Sequence, residues 1–171
     1  MELIFLPLIL GIIAFFIPSK WIRPFGLLAS LSVLGVSVAH LIQFDPRNYV
    51  LLFNPAEAFP LGLTFKMGYD GLALTMVLLT NAIISIIFLA NWNREIASSA
   101  RFTGLTLLMQ FALLGLFTSL DGILFYTFWE LTLIPIFLIL YWFGKQDNNR
   151  ALFKFFLYTL LGSLMMLLSF I

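Results

Sequence analysis

One acidic residue, Glu130, lies inside a long apolar stretch, in the sequence Phe128-Trp129-Glu130-Leu131. It follows Asp121, the nearest polar boundary, by nine residues, which is about 13 Å along an α-helix. If the stretch spans a membrane, Glu130 lies near the middle of a hydrocarbon core about 30 Å thick. An acidic group at that depth costs about 2.5–3.5 kcal/mol to insert, so a functional reason for keeping it is expected.

Glu130 has the chemistry of a proton-relay group. Desolvation favours the neutral carboxylic acid, whereas a neighbouring cation favours the carboxylate. A carboxyl group held between these two influences takes up and releases a proton when the cation moves. The alternative is a Glu130 that stays protonated and only hydrogen-bonds to a neighbouring helix.

Two hydroxyl groups are expected on the same helix face as Glu130. Tyr126 and Thr127 precede it by four and three residues, so their side chains should lie beside the carboxyl group and support it directly or through water. Pro135 removes a backbone donor and should leave the carbonyl of Leu131 unpaired. That carbonyl can bind water inside a bundle, or Pro135 only kinks the helix.

Three more polar residues have two interpretations each. Asp121 lies about 180° around the helix from Glu130, and its position before Gly122 favours an N-cap over a second site residue. Lys154 either extends to the membrane surface or faces the bundle as a cation that modulates the buried acid. His40, near the end of an apolar stretch, is expected at the interface and not in a proton relay.

Membrane-spanning helices must position these residues. The chain of 171 residues is 62% hydrophobic and 10% charged, with a mean hydropathy of +1.07, whereas soluble domains carry about 25% charge. A net charge of +1 without a basic run excludes nucleic-acid binding. The absence of cysteine excludes thiolate-held clusters in this chain, and the single histidine argues against a histidine-rich metal site.

The predicted fold is an all-α, polytopic transmembrane bundle, a single membrane domain over 1–171 with about six spans and the N-terminus outside. The predicted spans are 3–18, 25–43, 71–91, 102–118, 122–143 and 152–171. The segment 44–70 is predicted as an outer loop, in which the alternation over 61–67 indicates a short hairpin. The acidic N-terminus predicts a retained first span, and the apolar C-terminus predicts an N-terminal fragment of a longer protein.

The orientation follows from the distribution of lysine and arginine. With the N-terminus outside, two basic residues, Arg47 and Lys66, fall in outer segments. The inner segments hold seven: Lys20, Arg23, Arg94, Arg101, Lys145, Arg150 and Lys154. Basic residues concentrate on the inner side of membrane proteins, so the opposite orientation is rejected.

Three segments resemble one known family. Residues 125–139, FYTFWELTLIPIFLI, followed by Trp-Phe-Gly at 142–144, resemble the fifth-helix signature of the antiporter-like subunit M, or chain 4, of proton-pumping NADH:quinone oxidoreductase, respiratory complex I. Residues 151–164 resemble the family's sixth helix, and 70–74 its third-helix start. The resemblance extends over the whole chain and is most specific in 121–164. The Leu-Ile-Pro at 133–135 favours type M over subunits L and N and over the D subunit of multi-subunit Na⁺/H⁺ antiporters.

The resemblance implies a proton-translocating membrane-arm subunit that couples electron transfer from NADH to quinone to proton pumping. Glu130 matches the family's proton-channel glutamate, and Lys154 matches a sixth-helix lysine. The lysine that works with the glutamate belongs to a seventh helix, beyond this sequence. The resemblance implies no cofactor in this chain, with NADH, FMN, iron–sulfur clusters and quinone on other subunits.

The implied partners are the other membrane-arm subunits of complex I and the lipid bilayer. A bacterial inner membrane is the first expectation for location, and a mitochondrial or plastid membrane is the alternative. Two other functions stay open at this point. One is a subunit of a Mrp-type Na⁺/H⁺ antiporter, and the other is a non-pumping structural membrane subunit in which Glu130 is an inert packing group.

Overall fold

The structure, a computed structural model, describes residues 2–45, 50–53, 66–144 and 149–170. Within these ranges the chain forms six α-helices, a short 3₁₀ helix at Glu95–Ser98 and one pair of β-strands. The helices are α1 (Glu2–Ala14), α2 (Ser19–Ile42), α3 (Gly71–Ala90), α4 (Ala100–Thr118), α5 (Gly122–Phe143) and α6 (Asn149–Phe170). The strands are β1 (Val50–Phe53) and β2 (Met67–Tyr69).

Five helices, α2 to α6, are long and apolar enough to cross a membrane. The first helix has 13 residues, about 20 Å at 1.5 Å per residue, and therefore falls short of the predicted span 3–18. Hydrogen bonds from the amides of Phe15, Phe16 and Ile17 to carbonyls three residues earlier continue the turn beyond its end. The predicted polytopic helical bundle is confirmed, with a first helix shorter than expected.

The second helix begins six residues before the predicted span 25–43. Pro18, in an extended conformation, precedes it, and the helix then includes the polar turn with Lys20 and Arg23. Hydropathy excludes such residues from the apolar stretch, but a helix can start in the headgroup region, where water and lipid headgroups solvate its first turn. The membrane-crossing segment and the helix therefore begin at different residues.

The two strands form an antiparallel pair beside the end of α4. Val50 pairs with Tyr69 and Phe53 with Met67, with an irregularity between Leu51 and Phe53. Met67 also bridges to Ser119. The predicted alternating segment 61–67 is described only at its last two residues, because 61–65 lie outside the described ranges.

Helix α4 is the most buried of the five candidate spans, and α6 is the least buried. In the described structure α4 packs against α1, α2, α3 and α5, whereas α6 packs against α5. Glycine allows the closest approaches: a Cβ on Gly26 of α2 would meet Phe88 and Thr103 at 2.9 Å. A Cβ on Gly115 of α4 would overlap the ring of Phe128.

The two ends of the bundle differ chemically. At one end Asp70 accepts a hydrogen bond from the Ala73 amide at 2.8 Å and so caps α3. At the other end an Arg23 guanidinium nitrogen donates to the Arg94 carbonyl at 3.5 Å, and the Arg101 guanidinium lies 5.2 Å from the centre of the Trp142 ring. Arginines from α2, α4 and the connection between α3 and α4 therefore gather at the same end.

Candidate functional site

Helix α5 is held at its start and along one face. The Asp121 carboxylate accepts hydrogen bonds from the amides of Ile123 at 2.9 Å and Leu124 at 3.2 Å, so the predicted N-cap is confirmed. Phe128 is buried against α4, where its ring meets that of Phe111 edge-on at 5.6 Å. Glu130 follows Phe128 by two residues, about 200° around the helix, and therefore faces away from α4.

The carboxyl group of Glu130 lies between α5 and α6. The hydroxyl of Ser163, in α6, donates a hydrogen bond to Oε1 of Glu130. The hydroxyl of Tyr126, one turn earlier in α5, lies beside both Glu130 and Ser163. Ser163 is buried, and Glu130 and Tyr126 are half-buried. Three side-chain oxygens from two membrane-spanning helices therefore meet at one point.

Thr127 is near this cluster, but its hydroxyl is used elsewhere. It donates to the carbonyl of Ile123 at 2.8 Å, in its own helix. Its side chain still lines a cavity of about 290 Å³ between α5 and α6, together with Glu130, Leu131, Leu133, Ile134, Phe156 and Leu160. Most of this wall is apolar, so Glu130 supplies the ionisable group of the cavity.

Lys154 lies on a different side of α6. It precedes Ser163 by nine residues, which is half a turn out of phase and about 13 Å along the helix. Its side chain is exposed, whereas Ser163 is buried against α5. The described structure therefore does not bring Lys154 to Glu130, because the helical repeat points the two α6 residues in opposite directions.

Pro135 does not interrupt α5, which is continuous from Gly122 to Phe143. Its ring is buried and lines a second cavity, of about 280 Å³, with residues of α1, α4 and α5 that include Leu131. The cavity is lined by apolar side chains. Apolar cavities stay dry, so the space beside Pro135 and Leu131 does not suit the water site that the sequence suggested.

A second polar cluster, not anticipated from the sequence, joins α2, α3 and α4. The Asn81 amide nitrogen donates to the Ser37 hydroxyl at 2.9 Å, and the Gln110 amide nitrogen donates to the Asn81 side-chain oxygen at 2.8 Å. All three side chains are fully buried. Uncharged polar residues in the middle of apolar helices were the available signal, since buried amides in a membrane bundle need partners.

His40 lies at the end of the bundle that carries Asp70. Its Nδ1 is 2.7 Å from the Tyr69 hydroxyl, and the two rings meet edge-on. Burial raises the pKa of Tyr69, so its hydroxyl keeps its proton at neutral pH and can donate to the imidazole. The contact between His40 and Tyr69 therefore links α2 to β2. It lies at the residue that the sequence predicted as an interfacial histidine.

Comparison with known proteins finds similarity to subunits of NADH-quinone oxidoreductases and of an F(420)H(2) dehydrogenase. Residues 119–171 match the family described as "NADH:quinone oxidoreductase/Mrp antiporter, TM". F(420)H(2) dehydrogenase subunit M of Methanosarcina mazei is 38% identical over 170 residues, which cover 98% of this chain and 34% of that relative. NADH-ubiquinone oxidoreductase chain 4 of Arabidopsis thaliana is 38% identical over 173 residues, covering 98% and 35%.

The fold agrees with these sequence similarities. A chain of respiratory complex I from Thermus thermophilus, solved with bound NADH, matches this structure with a TM-score of 0.82 at 30% sequence identity. The match covers 98% of this chain and 34% of that chain. This chain therefore spans about a third of the length of the relatives it matches. The resemblance to subunit M and chain 4 is confirmed.

Proposed function

We propose that this chain, which belongs to the antiporter-like membrane subunits related to subunit M and chain 4 of NADH:quinone oxidoreductase, carries part of a proton-translocation path through Glu130. The observation that carries the proposal is the Glu130 carboxyl group, which lies between two membrane-spanning helices, accepts a hydrogen bond from the Ser163 hydroxyl and has the Tyr126 hydroxyl beside it. Ionisable groups inside a bundle commonly mark proton paths.

The surroundings of Glu130 suit reversible protonation. Two neutral hydroxyls can donate to the carboxylate and offset part of its desolvation, while the apolar wall of the 290 Å³ cavity opposes the charge. In this proposal, the approach or withdrawal of a cation shifts the group between its two forms. We propose that such a cation acts from outside the described contacts of Glu130.

The activity of the whole enzyme is part of the same proposal. We propose that the chain works in a membrane arm in which other subunits hold FMN, iron–sulfur clusters and the quinone site, and that it holds no cofactor itself. Thiolate ligands for such clusters are missing from a sequence without cysteine. Several relatives are subunits of NADH-quinone or NADH-ubiquinone oxidoreductase, and the Methanosarcina mazei relative is a subunit of F(420)H(2) dehydrogenase.

The partners and the location follow from this assignment. We propose that the chain contacts other membrane-arm subunits and lipid, in a bacterial inner membrane or, alternatively, a mitochondrial or plastid membrane. Relatives come from a bacterium, Rhodobacter capsulatus, and from a plant, Arabidopsis thaliana.

Replacing the carboxyl group tests the proposal. Glu130→Gln in the full-length subunit keeps the size and hydrogen bonding of the side chain but removes its titratable proton. We expect at least about a hundredfold loss of proton translocation, the lower end of the range for a missing acid–base group, with normal assembly. Proton uptake and electron transfer are measured together in sealed vesicles.

The matched control is Glu2→Gln, which removes an exposed carboxylate at the start of α1. We expect this variant to pump normally. Normal pumping by a correctly assembled Glu130→Gln complex would overturn the proposal and favour the structural role for this glutamate.

The second candidate function is a subunit of a Mrp-type antiporter, because the description of the matched family includes that class. In that case proton movement across vesicles would respond to a sodium gradient and not to an electron donor. The same vesicles distinguish the two functions, and Glu130→Gln would abolish whichever response is present.

A further inference from the structure

The hydroxyl of Ser163 has two acceptors and one hydrogen. It is within hydrogen-bonding distance of Oε1 of Glu130 and lies 2.9 Å from the carbonyl of Leu160 in its own helix. A serine hydroxyl carries a single hydrogen and two acceptor lone pairs. The hydrogen therefore has to favour one of the two oxygens, and the state of Glu130 decides which one.

We propose that Ser163 is a positioning residue for proton transfer, a hydrogen-bond switch that reverses direction when Glu130 changes its protonation state. The proposal rests on the proposed function of Glu130. With Glu130 ionised, Ser163 donates to the carboxylate, because a hydrogen bond to a charged acceptor is the stronger one. With Glu130 protonated, the carboxylic acid donates to Ser163, whose own hydrogen turns to the Leu160 carbonyl.

The switch involves one proton, which arrives at Glu130 and later leaves it. A proton arriving at Glu130 forms one O–H bond on the carboxyl group, and no other covalent bond forms or breaks. The Ser163 O–H bond rotates about its Cβ–Oγ bond from Oε1 to the Leu160 oxygen. Loss of the proton from Glu130 reverses both steps. Protonation in α5 thereby changes the hydrogen bonding of the backbone in α6.

Other titratable groups near the pair are few within the described helices. Tyr126 lies beside both partners, and its hydroxyl can donate to Glu130. Those further away on the packed helices are Tyr141 on α5, Arg150, Lys154 and Tyr158 on α6, and Arg101 on α4. The α6 groups are exposed, and Arg101 is stacked on Trp142 at the end of the bundle. Ser163 and Tyr126 therefore remain the polar contacts through which the structure acts on Glu130.

The test uses the full-length subunit in the assembled complex and compares Ser163→Ala with Thr159→Val. Thr159 is also on α6, and its hydroxyl donates to the Phe155 carbonyl at 2.8 Å, so its loss removes a hydroxyl without touching Glu130. Removing Ser163 takes a donor from the ionised form. The carboxyl group then keeps its proton to higher pH, and the pH profile of proton translocation should move upward by about one unit.

A spectroscopic signature separates this switch from a general structural effect. The infrared carbonyl band of protonated Glu130, identified by its loss in Glu130→Gln, should shift in Ser163→Ala and stay unchanged in Thr159→Val. Ser163→Thr keeps the hydroxyl and should restore both the band and the pH profile.

Two outcomes would contradict the proposals, and they differ. If Ser163→Ala matches Thr159→Val in both the pH profile and the carboxyl band while Glu130→Gln still abolishes pumping, the switch is wrong and the proposed function survives. If Glu130→Gln pumps normally, the proposed function and the switch fail together.

Discussion

The side chains around Glu130 show which contacts follow from position along one helix and which do not. Tyr126, one turn earlier, lies beside the carboxyl group, on the helix face that its spacing predicts. Thr127 shares the face, but its hydroxyl reaches its own helix at Ile123, because a short β-branched side chain can bond back to a carbonyl four residues earlier. Ser163 is 33 residues away, so no local pattern could indicate it as a partner.

Among the individual side chains of α5, Asp121 should affect the stability of the subunit and not proton transfer. Asp121→Ala removes the acceptor of two amide hydrogen bonds at the start of α5 and should destabilise the subunit by about 1 kcal/mol. Asp121→Asn keeps a capping oxygen and should have a smaller effect. Thermal inactivation of the assembled complex measures both variants, and equal stability of Asp121→Ala and wild type would contradict the prediction.

The helices differ in how much of their position depends on close packing. Helix α4 touches α1, α2, α3 and α5, and its contact with α5 requires a glycine at 115 because the Phe128 ring occupies the space of a Cβ. The buried amides Asn81 and Gln110 add directional bonds between α3 and α4. Packing against α4 thus fixes the orientation of α5 about its own axis, and in this orientation Glu130 faces α6.

Gly115→Ala is therefore expected to disturb the bundle although alanine favours helices by about 1 kcal/mol over glycine. The new methyl group overlaps Phe128, and overpacking of this kind costs about 1–3 kcal/mol. The control is Gly35→Ala on α2, where a Cβ meets nothing within 4 Å in the described structure. The yield of assembled complex should fall for Gly115→Ala only, and equal yields for both variants would be the contrary result.

For the molecule as a whole, the helical membrane class and the predicted direction of each span come largely from composition. The arginines gathered at one end and the helix-capping aspartates at the other agree with an up-and-down bundle. The structure itself contains no membrane, so the assignment of the arginine end to the inner side rests on the excess of basic residues there.

Labelling from each side of the membrane tests this orientation. Because this sequence has no cysteine, Leu120→Cys and Asn93→Cys can each report one connection in a cysteine-free full-length subunit. Both positions are exposed, between α4 and α5 and after α3 respectively. A membrane-impermeant thiol reagent should label Leu120→Cys from outside and Asn93→Cys from inside, and the reverse pattern would overturn the orientation.

The sequence alone determined the helical membrane class, the cap at Asp121 and the position of an acid at 130 inside an apolar helix, because hydropathy, capping and helical spacing act over a few residues. Only the tertiary structure decided that Ser163 meets Glu130 and that Lys154 faces elsewhere. It also decided that Asn81 bonds to Ser37 and Gln110. Those contacts depend on how each helix is rotated about its axis, and that rotation is set by the packing of distant side chains.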